Sequence, residues 1–255
     1  MSRSARTYVI GIALVAGLAF ALGQGEFAHA TIPPPLESAG AKRADFRGEN
    51  VSADVRSIAQ SAVQSGDHKG LPFIVIDKAN AKAVVFDRNG RLIRSTPVLI
   101  GMGIGDTWAP GVLQMDMHQT QPWQRITPAG RFVADEDRSA HGQRVLWVDY
   151  DAGIAIHKLP SKKTAQRRHE RIRSEDPAER RITYGCINVP PAFYDQVIHP
   201  TFRRKGGVVY VLPDSSPVRT VFQSHDVGKA LDAAMAQQNA GPSGPQSFSD
   251  SRHRD

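Results

Sequence analysis

The residue with the clearest chemical potential is Cys186, the only cysteine in a chain of 255 residues. It stands in the segment Ile-Thr-Tyr-Gly-Cys-Ile-Asn-Val-Pro, residues 182–190. A lone thiol has no intramolecular disulfide partner, so it either performs chemistry or fills space in a core. Gly185 removes side-chain bulk beside the sulfur, and Asn188 with Pro190 and Pro191 predicts a helix start. A helix N-terminus favours the nucleophilic thiolate, so we interpret Cys186 as a nucleophile.

A nucleophilic thiol needs a base, and two histidines precede it at useful positions. His157 ends the apolar run Gly153–Ile156 and stands 29 residues before Cys186, whereas His169 stands 17 residues before it. We favour His157, because packing of an apolar strand can hold its ring within reach of a thiol. His169 lies among arginines and glutamate, which predicts an exposed side chain. His118 has no set of ligands at metal spacing beside it, so we expect no metal site.

A charged stretch separates His157 from Cys186. Residues 162–181 include eight basic and four acidic residues and show no apolar stripe. This composition predicts a solvent-facing helical insertion. The functional alternative is a basic lip that binds an anionic substrate through Arg167 and Arg168.

Short β-strands are predicted to position these residues. Residues 73–77, 81–86 and 91–100 predict a meander, with an Asn-Gly hairpin signal at 89–90. Further strands are predicted at 145–148, 153–156 and 208–212, and a short helix at 192–197. Residues 106–124 form a long irregular segment, which in a compact domain indicates either function or loose order.

The N-terminal 30 residues predict a secretory signal. Arg3 and Arg6 precede an apolar run, and Ala28-His29-Ala30 has small residues at the cleavage positions. An uncleaved membrane anchor is the alternative, although the apolar run is short for a span of about 20 residues. Removal of the signal lowers the net charge from +7 to +6. A basic exported protein can meet anionic lipid or an anionic envelope polymer, and export disfavours nucleic acid.

Four segments in order resemble the L,D-transpeptidase catalytic domain, also called the YkuD domain, over residues 71–213. The opening strands 73–101 resemble the family's first hairpin. The Thr-Pro-x-Gly-x-Phe turn is present at 127–132, and Ile-Ala-Ile-His at 154–157 resembles the family's histidine-bearing strand. The signature Ser/Thr-His-Gly-Cys-hydrophobic-Asn/Arg is similar to Thr-Tyr-Gly-Cys-Ile-Asn at 183–188.

The resemblance implies a mostly β fold, a sandwich or barrel-like catalytic domain with short helices and the charged helical insertion. It implies that Cys186 attacks a peptidoglycan stem peptide, that His157 acts as its base, and that no cofactor is required. The resulting thioester passes to an amine or to water. The oxyanion and positioning residues would be Thr183, Tyr184, Gly185 and Asn188, with backbone N–H groups near Gly185 and Cys186 as donors.

This chain departs from the family at three places. Tyr184 replaces the second histidine, Lys158 replaces the small residue after the base, and the His157–Cys186 separation is about ten residues longer than usual. Two alternatives to a transpeptidase therefore stay open: a cysteine hydrolase of the same fold, and a non-catalytic envelope-binding protein.

The predicted organisation is a signal at 1–30, a linker and N-terminal helix at 31–70, the catalytic domain at 71–213, and a C-terminal helix with a disordered tail at 214–255. The expected location is the periplasm or cell envelope, without stable membrane insertion after cleavage. The sequence leaves the oligomeric state open.

Overall fold

The computed structural model describes residues 42–108, 111–160 and 167–222. The predicted export signal, the linker before residue 42, residues 161–166 of the insertion and the chain after residue 222 lie outside the described residues. Within the described part, no helix has both the length and the apolarity needed to cross a membrane.

The fold is mostly β, as the sequence predicted. Ten strands are described: β1 Phe73–Asp77, β2 Lys82–Phe86, β3 Leu92–Pro97, β4 Ile100–Gly101, β5 Gly130–Arg138, β6 Arg144–Asp149, β7 Ile154–Lys158, β8 Arg181–Thr183, β9 Ile187–Val189 and β10 Gly207–Val211. Eight of them form one barrel-like sheet in the order β3-β2-β1-β10-β5-β6-β7-β9, and β4 pairs with β8.

Side chains of the central strands alternate between two apolar layers, because successive residues of a strand point to opposite faces. Ile74 and Ile76 of β1 lie in one cluster, together with residues of β6, β7 and β9. Phe73 and Val75 lie in the other cluster, which contains the buried face of the N-terminal helix. Burial on both faces explains why β1 and β10 are continuous apolar runs.

The helix α1 (Ala53–Ser65) covers the second apolar layer, in agreement with the predicted amphipathic helix. Ser52 caps its N-terminus by accepting a hydrogen bond from the Val55 N–H, and Gly66 ends it in a left-handed conformation. Val55, Ile58, Ala59 and Ala62 form its buried face.

The predicted strand over 91–100 is divided in two, because Pro97 cannot donate a hydrogen bond to a continued ladder. Strand β3 ends there, and the chain then changes partners. Val98 donates to the Ala81 carbonyl at 2.9 Å, and Leu99 forms an isolated antiparallel bridge with Asn188. The change of partner brings β4 next to β8, the strand that leads to the cysteine.

The charged insertion differs from the predicted solvent-facing helix. Its described part contains the short helix α2 (Arg168–Arg171) and a 3-10 turn at Pro177–Arg180. Ile172 is buried against Leu99, Leu159 and Ile182. Arg180 is also buried, because its guanidinium donates to the carbonyls of Ser174, Asn80 and Ala81. Carbonyl acceptors and one apolar side chain hold this segment on the domain without an apolar stripe.

The predicted helix start is misplaced at Asn188, whereas Pro191 does open a helical segment that covers the short helix predicted at 192–197. Asn188 lies in β9, and the helical segment begins at Pro191 as α3 (Pro191–Phe193). It continues as a π turn at Tyr194–Ile198 and as α4 (His199–Phe202). The strand forms because Ile187, Asn188 and Val189 pair with β7 and are all buried. A fifth short helix, α5 (Val218–Phe222), is the described part of the predicted C-terminal helix.

Candidate active site

The turn that carries the cysteine joins β8 to β9 and is fixed by two threonine hydroxyls. Thr183 Oγ1 donates to the Cys186 carbonyl at 2.7 Å and accepts from the Gly185 N–H at 3.2 Å. Thr127 Oγ1 donates to the Gly185 carbonyl at 2.8 Å and accepts from the Gly101 N–H at 2.9 Å. The turn is therefore tied to the Thr-Pro-x-Gly-x-Phe segment and to β4.

Gly185 is required in this turn by both conformation and space. Its φ of +130° lies in a region that side chains with a Cβ rarely adopt. A Cβ there would lie 2.8 Å from the Ile126 carbonyl oxygen and 2.9 Å from the Trp108 ring. The Gly185 N–H donates to Thr183 Oγ1. The role of the backbone N–H groups near Gly185 and Cys186 as oxyanion donors stays a prediction.

The thiol of Cys186 is half-buried, and its Sγ donates to the Gly153 carbonyl at 3.4 Å. Burial raises the pKa of the thiol, while the Ala155 backbone N–H and the Arg168 charge oppose part of that rise. The expected thiolate stabilisation by a helix N-terminus is therefore wrong. The helix begins five residues later, with β9 between it and the sulfur.

His157 ends β7 with both ring nitrogens hydrogen-bonded. Nδ1 lies 2.9 Å from the carbonyl oxygen of Lys158, and Nε2 lies 2.9 Å from Nδ2 of Asn188. A carbonyl can only accept, so Nδ1 carries the proton and Nε2 accepts from the amide. Lys158 thus contributes its backbone carbonyl, which any residue could supply. Burial lowers the pKa of His157, and the nearby Arg168 charge adds to that effect.

The pairing of β7 with β9 brings the two candidate catalytic residues to neighbouring strands. His157 is opposite Asn188 and Ile156 is opposite Ile187, so Cys186 lies beside the Ala155 position. Across the part of the chain that the structure describes, Cys186 and His157 form no direct hydrogen bond. Asn188 occupies the imidazole nitrogen that a base would use.

The two arginines predicted to bind substrate are in different environments. Arg168 Nη1 donates to Asn188 Oδ1 at 2.6 Å, and its guanidinium is half-buried near Cys186 and Tyr184. Burial lowers the pKa of Arg168, and the charges of those two neighbours oppose the effect. Arg167 is exposed and pairs with Glu170. Only Arg168 joins the cluster around the cysteine.

His169 also differs from the exposed side chain that was predicted. It is half-buried, and its Nε2 lies 2.7 Å from the Pro160 carbonyl oxygen. His169 lies in helix α2, and its hydrogen bond to the Pro160 carbonyl holds the imidazole in place, although the surrounding sequence shows no apolar stripe. His169 therefore contacts Pro160 through its imidazole, and it is not a hydrogen-bond partner of the cysteine among the described residues.

Beside the thiol is a cavity of about 90 Å³ whose walls come mainly from the irregular segment predicted at 106–124. Its lining is largely apolar and includes Trp108, Val112, Leu113, Met115 and Met117, along with Tyr184 and Cys186. Tyr184, at the family's second histidine position, lies under Arg125 with the guanidinium carbon 4.0 Å from the ring centre. The His118 imidazole contacts the Tyr184 ring edge-on, with 6.1 Å between the ring centres.

A buried ion cluster lies behind this site, and sequence reasoning missed it. Lys78 is fully buried and pairs with Asp106 at 3.1 Å and Asp214 at 3.2 Å, and Arg181 pairs with Asp214 at 2.5 Å. Lys78 also donates to the Thr127 carbonyl at 3.0 Å. The only sequence signal was a lysine directly after the apolar strand β1. The cluster joins the start of the cavity-lining segment to β8.

No group of three or more histidine, cysteine, aspartate or glutamate side chains is placed to hold a metal ion within residues 42–108, 111–160 and 167–222. The expectation that the chain needs no cofactor stays a prediction.

Comparison with known proteins gives one family match. The family model for YkuD, the L,D-transpeptidase catalytic domain, matches residues 72–203, which is more than half of the chain. No curated protein sequence matches the chain.

Solved structures similar to this chain include an L,D-transpeptidase from Xylanimonas cellulosilytica, with 16% identity and a TM-score of 0.37, covering 55% of this chain and 60% of that one. The catalytic domain of the E. faecium L,D-transpeptidase has 16% identity and a TM-score of 0.32, covering 55% and 95%. An L,D-transpeptidase from Mycobacterium smegmatis has 16% identity and a TM-score of 0.33, covering 55% and 58%.

Proposed function

The chain belongs to the YkuD family of L,D-transpeptidase catalytic domains, and on that premise we propose that it is an exported cysteine acyltransferase acting on peptidoglycan stem peptides. The observation that supports the proposal is the position of its only cysteine. Cys186 lies on a fixed turn at the edge of a cavity, with a histidine on the neighbouring strand. The sequence of residues 1–30 supports export to the periplasm.

In the proposed reaction, Cys186 Sγ attacks the carbonyl of the diaminopimelate at position three of a donor tetrapeptide. His157 Nε2 accepts the thiol proton, and the Cys186 N–H donates to the developing oxyanion. Collapse of the tetrahedral intermediate breaks the peptide bond and forms a thioester. The imidazolium returns the proton to the leaving amine of D-alanine.

The second half of the reaction regenerates the enzyme. An amine of a second stem peptide attacks the thioester, and His157 takes the proton that the amine loses. The C–S bond breaks, an amide crosslink forms, and the sulfur recovers its proton. If water attacks in place of the amine, the same steps give hydrolysis and a free carboxylate.

One observation favours the alternative of a non-catalytic envelope-binding protein. His157 Nε2 accepts from Asn188, and the thiol donates to the Gly153 carbonyl, so the structure shows neither group poised for the other. Such a protein would bind stem peptides at the same site without catalysing a reaction.

Incubation of purified protein with defined tetrapeptide muropeptides separates the three functions. We expect a crosslinked dimer by mass spectrometry, and an acyl-enzyme on Cys186 that is absent in Cys186→Ala. Trimmed tripeptide without dimer would identify a hydrolase. Binding of muropeptide without an acyl-enzyme or product would identify the non-catalytic protein and overturn the proposal.

A further inference from the structure

Two hydrogen bonds connect the charged insertion to the candidate base, and a third fixes the other side of the imidazole. Arg168 Nη1 donates to Asn188 Oδ1 at 2.6 Å, and Asn188 Nδ2 donates to His157 Nε2 at 2.9 Å. His157 Nδ1 then donates to the Lys158 carbonyl oxygen at 2.9 Å. The guanidinium can only donate, so it fixes which end of the amide points to the imidazole. With Oδ1 held by Arg168, the NH₂ group must point to Nε2.

These hydrogen bonds prevent His157 from accepting the proton of the Cys186 thiol. The Nε2 lone pair is the only basic site on the neutral imidazole, and the Asn188 amide occupies it. The thiol proton meanwhile points to the Gly153 carbonyl at 3.4 Å. Asn188 is fully buried, so water does not compete for its amide. The arrangement is a resting state in which each candidate catalytic group has another partner.

Binding of a carboxylate to Arg168 would break the hydrogen bonds of this resting state. Its guanidinium is half-buried, and it interacts electrostatically with Cys186 and Tyr184, two residues that line the cavity beside the thiol. A guanidinium binds a carboxylate through two charge-assisted hydrogen bonds, which are stronger than one bond to a neutral amide oxygen. A carboxylate that binds Arg168 through Nη1 therefore competes with Asn188 for that N–H group.

We propose that Arg168 is a positioning residue that acts through Asn188 to hold His157 away from Cys186 until a substrate carboxylate takes the guanidinium. Asn188 then loses the bond that fixes its amide, and Nε2 becomes free to accept the Cys186 proton, giving a thiolate and an imidazolium. The proposal rests on the proposed function only in naming Cys186 and His157 as the reacting pair. The carboxylate is identified by its chemistry, and a stem peptide supplies it in the proposed reaction.

The first test is the pH dependence of Cys186 alkylation by iodoacetamide, a neutral reagent that reports the thiolate fraction. Arg168 is the charged group that acts on both Cys186 and His157, while the Lys158 ammonium pairs with Asp195 at 2.6 Å. In the resting state His157 is not coupled to the thiol, so His157→Ala should leave the midpoint within about 0.3 pH units. Asn188→Ala should free the base and lower the midpoint by one pH unit or more.

The double variant Asn188→Ala/His157→Ala checks that the shift comes from the base. Its midpoint should return to that of His157→Ala alone. If Asn188 had only a structural role, the alkylation midpoint would shift by the same amount in Asn188→Ala and in the double variant. A midpoint raised by His157→Ala in the otherwise unchanged protein would show that the base already holds the thiol proton, and would overturn the proposal.

The second test uses N-acetyl-D-alanine as a carboxylate probe at pH 7 and constant ionic strength. Saturating probe should raise the alkylation rate about fivefold in the wild type and leave Arg168→Gln unchanged. In Asn188→Ala the base is already free, so the probe only screens the Arg168 charge and should slow alkylation. Arg173→Gln removes an exposed charge from the same insertion and should respond as the wild type does.

Failure of this proposal and failure of the proposed function give different results. No probe response in the wild type, or an equal response in Arg168→Gln, overturns the Arg168–Asn188 inference even if muropeptides are crosslinked. A probe response that depends on Arg168, in a protein that forms no acyl-enzyme with muropeptides, supports the inference and overturns the proposed reaction.

Discussion

At the scale of single residues, burial sets the protonation of the candidate pair. It raises the pKa of the Cys186 thiol and lowers that of the His157 imidazole, so both shifts favour the uncharged form. The resting pair is therefore a thiol and a neutral imidazole. A neutral thiol is a weak nucleophile, so in the proposed reaction acylation by substrate requires proton transfer to His157.

The pH dependence of acylation follows from these directions. His157 accepts a proton only when neutral, and its lowered pKa keeps it neutral down to a pH below the ordinary value of about 6.5. We expect the acylation rate to hold as the pH falls to about 6.5 and to drop only below it. Stopped-flow acylation by a carbapenem-type β-lactam between pH 5 and 9 measures this. An acidic limb with its midpoint above 7 would contradict the lowered pKa.

Substitution of the two histidines tests which one is the base. His157→Ala should slow acylation of Cys186 about a hundredfold or more, the usual scale for loss of a general base. His169→Ala should leave the rate within a few-fold, because its Nε2 is bonded to the Pro160 carbonyl. Intact-mass kinetics on the two single variants give both rates. A larger loss in His169→Ala than in His157→Ala would contradict the assignment of His157 as the base.

At the scale of elements, the site depends on contacts between segments that are distant in sequence. The Thr127 hydroxyl fixes the cysteine turn from 58 residues away. Asp106 accepts from the Asp214 and Ser216 backbone N–H groups and pairs with Lys78. Burial opposes the charge of Asp106, but these donors outweigh it and lower the pKa of its carboxyl. The ion cluster thus holds the cavity-lining segment against the core.

Removal of the central cation should show how much this cluster stabilises the fold. Lys78→Met leaves two buried carboxylates with only Arg181 to compensate them, and we expect a loss of about 3–5 kcal/mol in the free energy of unfolding. Lys82→Met breaks the pair with Glu49, in which the side chains are 27% and 36% exposed, and should cost about 0–1 kcal/mol. Urea denaturation of both variants measures the difference. Equal losses would mean that Lys78 contributes no more than a surface ion pair.

At the scale of the whole molecule, the net charge of +7 favours association with anionic envelope polymers. The exposed arginines of the insertion, Arg167 and Arg173, are available for such contacts. Arg168 is not part of that surface, because it lies within the candidate site. The basic lip and the site therefore use different arginines of the same insertion.

Charge reversal separates surface binding from chemistry. Arg167→Glu/Arg173→Glu should weaken binding to cell-wall sacculi, with a larger loss at low salt because exposed charges are screened. Acylation of Cys186 should stay within a few-fold. Arg88→Glu/Arg94→Glu is the matched control, since it reverses two exposed charges on β3 and its turn, outside the insertion. Sacculus pelleting across salt concentrations is the measurement, and equal losses in both pairs would leave only net charge as the cause.

The sequence by itself determined the local structure. Runs of β-branched and aromatic residues predicted β1 and β2, an N-terminal helix was predicted within residues 31–70, and four ordered motifs predicted the family that the comparison with known domains confirmed. These features are properties of short segments, so they are visible in the order of residue types. The domain boundaries and the roles of the site residues stay predictions.

Only the tertiary structure decided how the site is connected. Pairing of β9 with β7 turned the predicted helix start at Asn188 into a strand and put its amide on His157. Burial reversed the expected direction of the Cys186 pKa, and the insertion folded back so that Arg168 reached Asn188, 20 residues along the chain. Burial and charge proximity depend on which distant segments pack together, and a pattern of neighbouring residues does not contain that information.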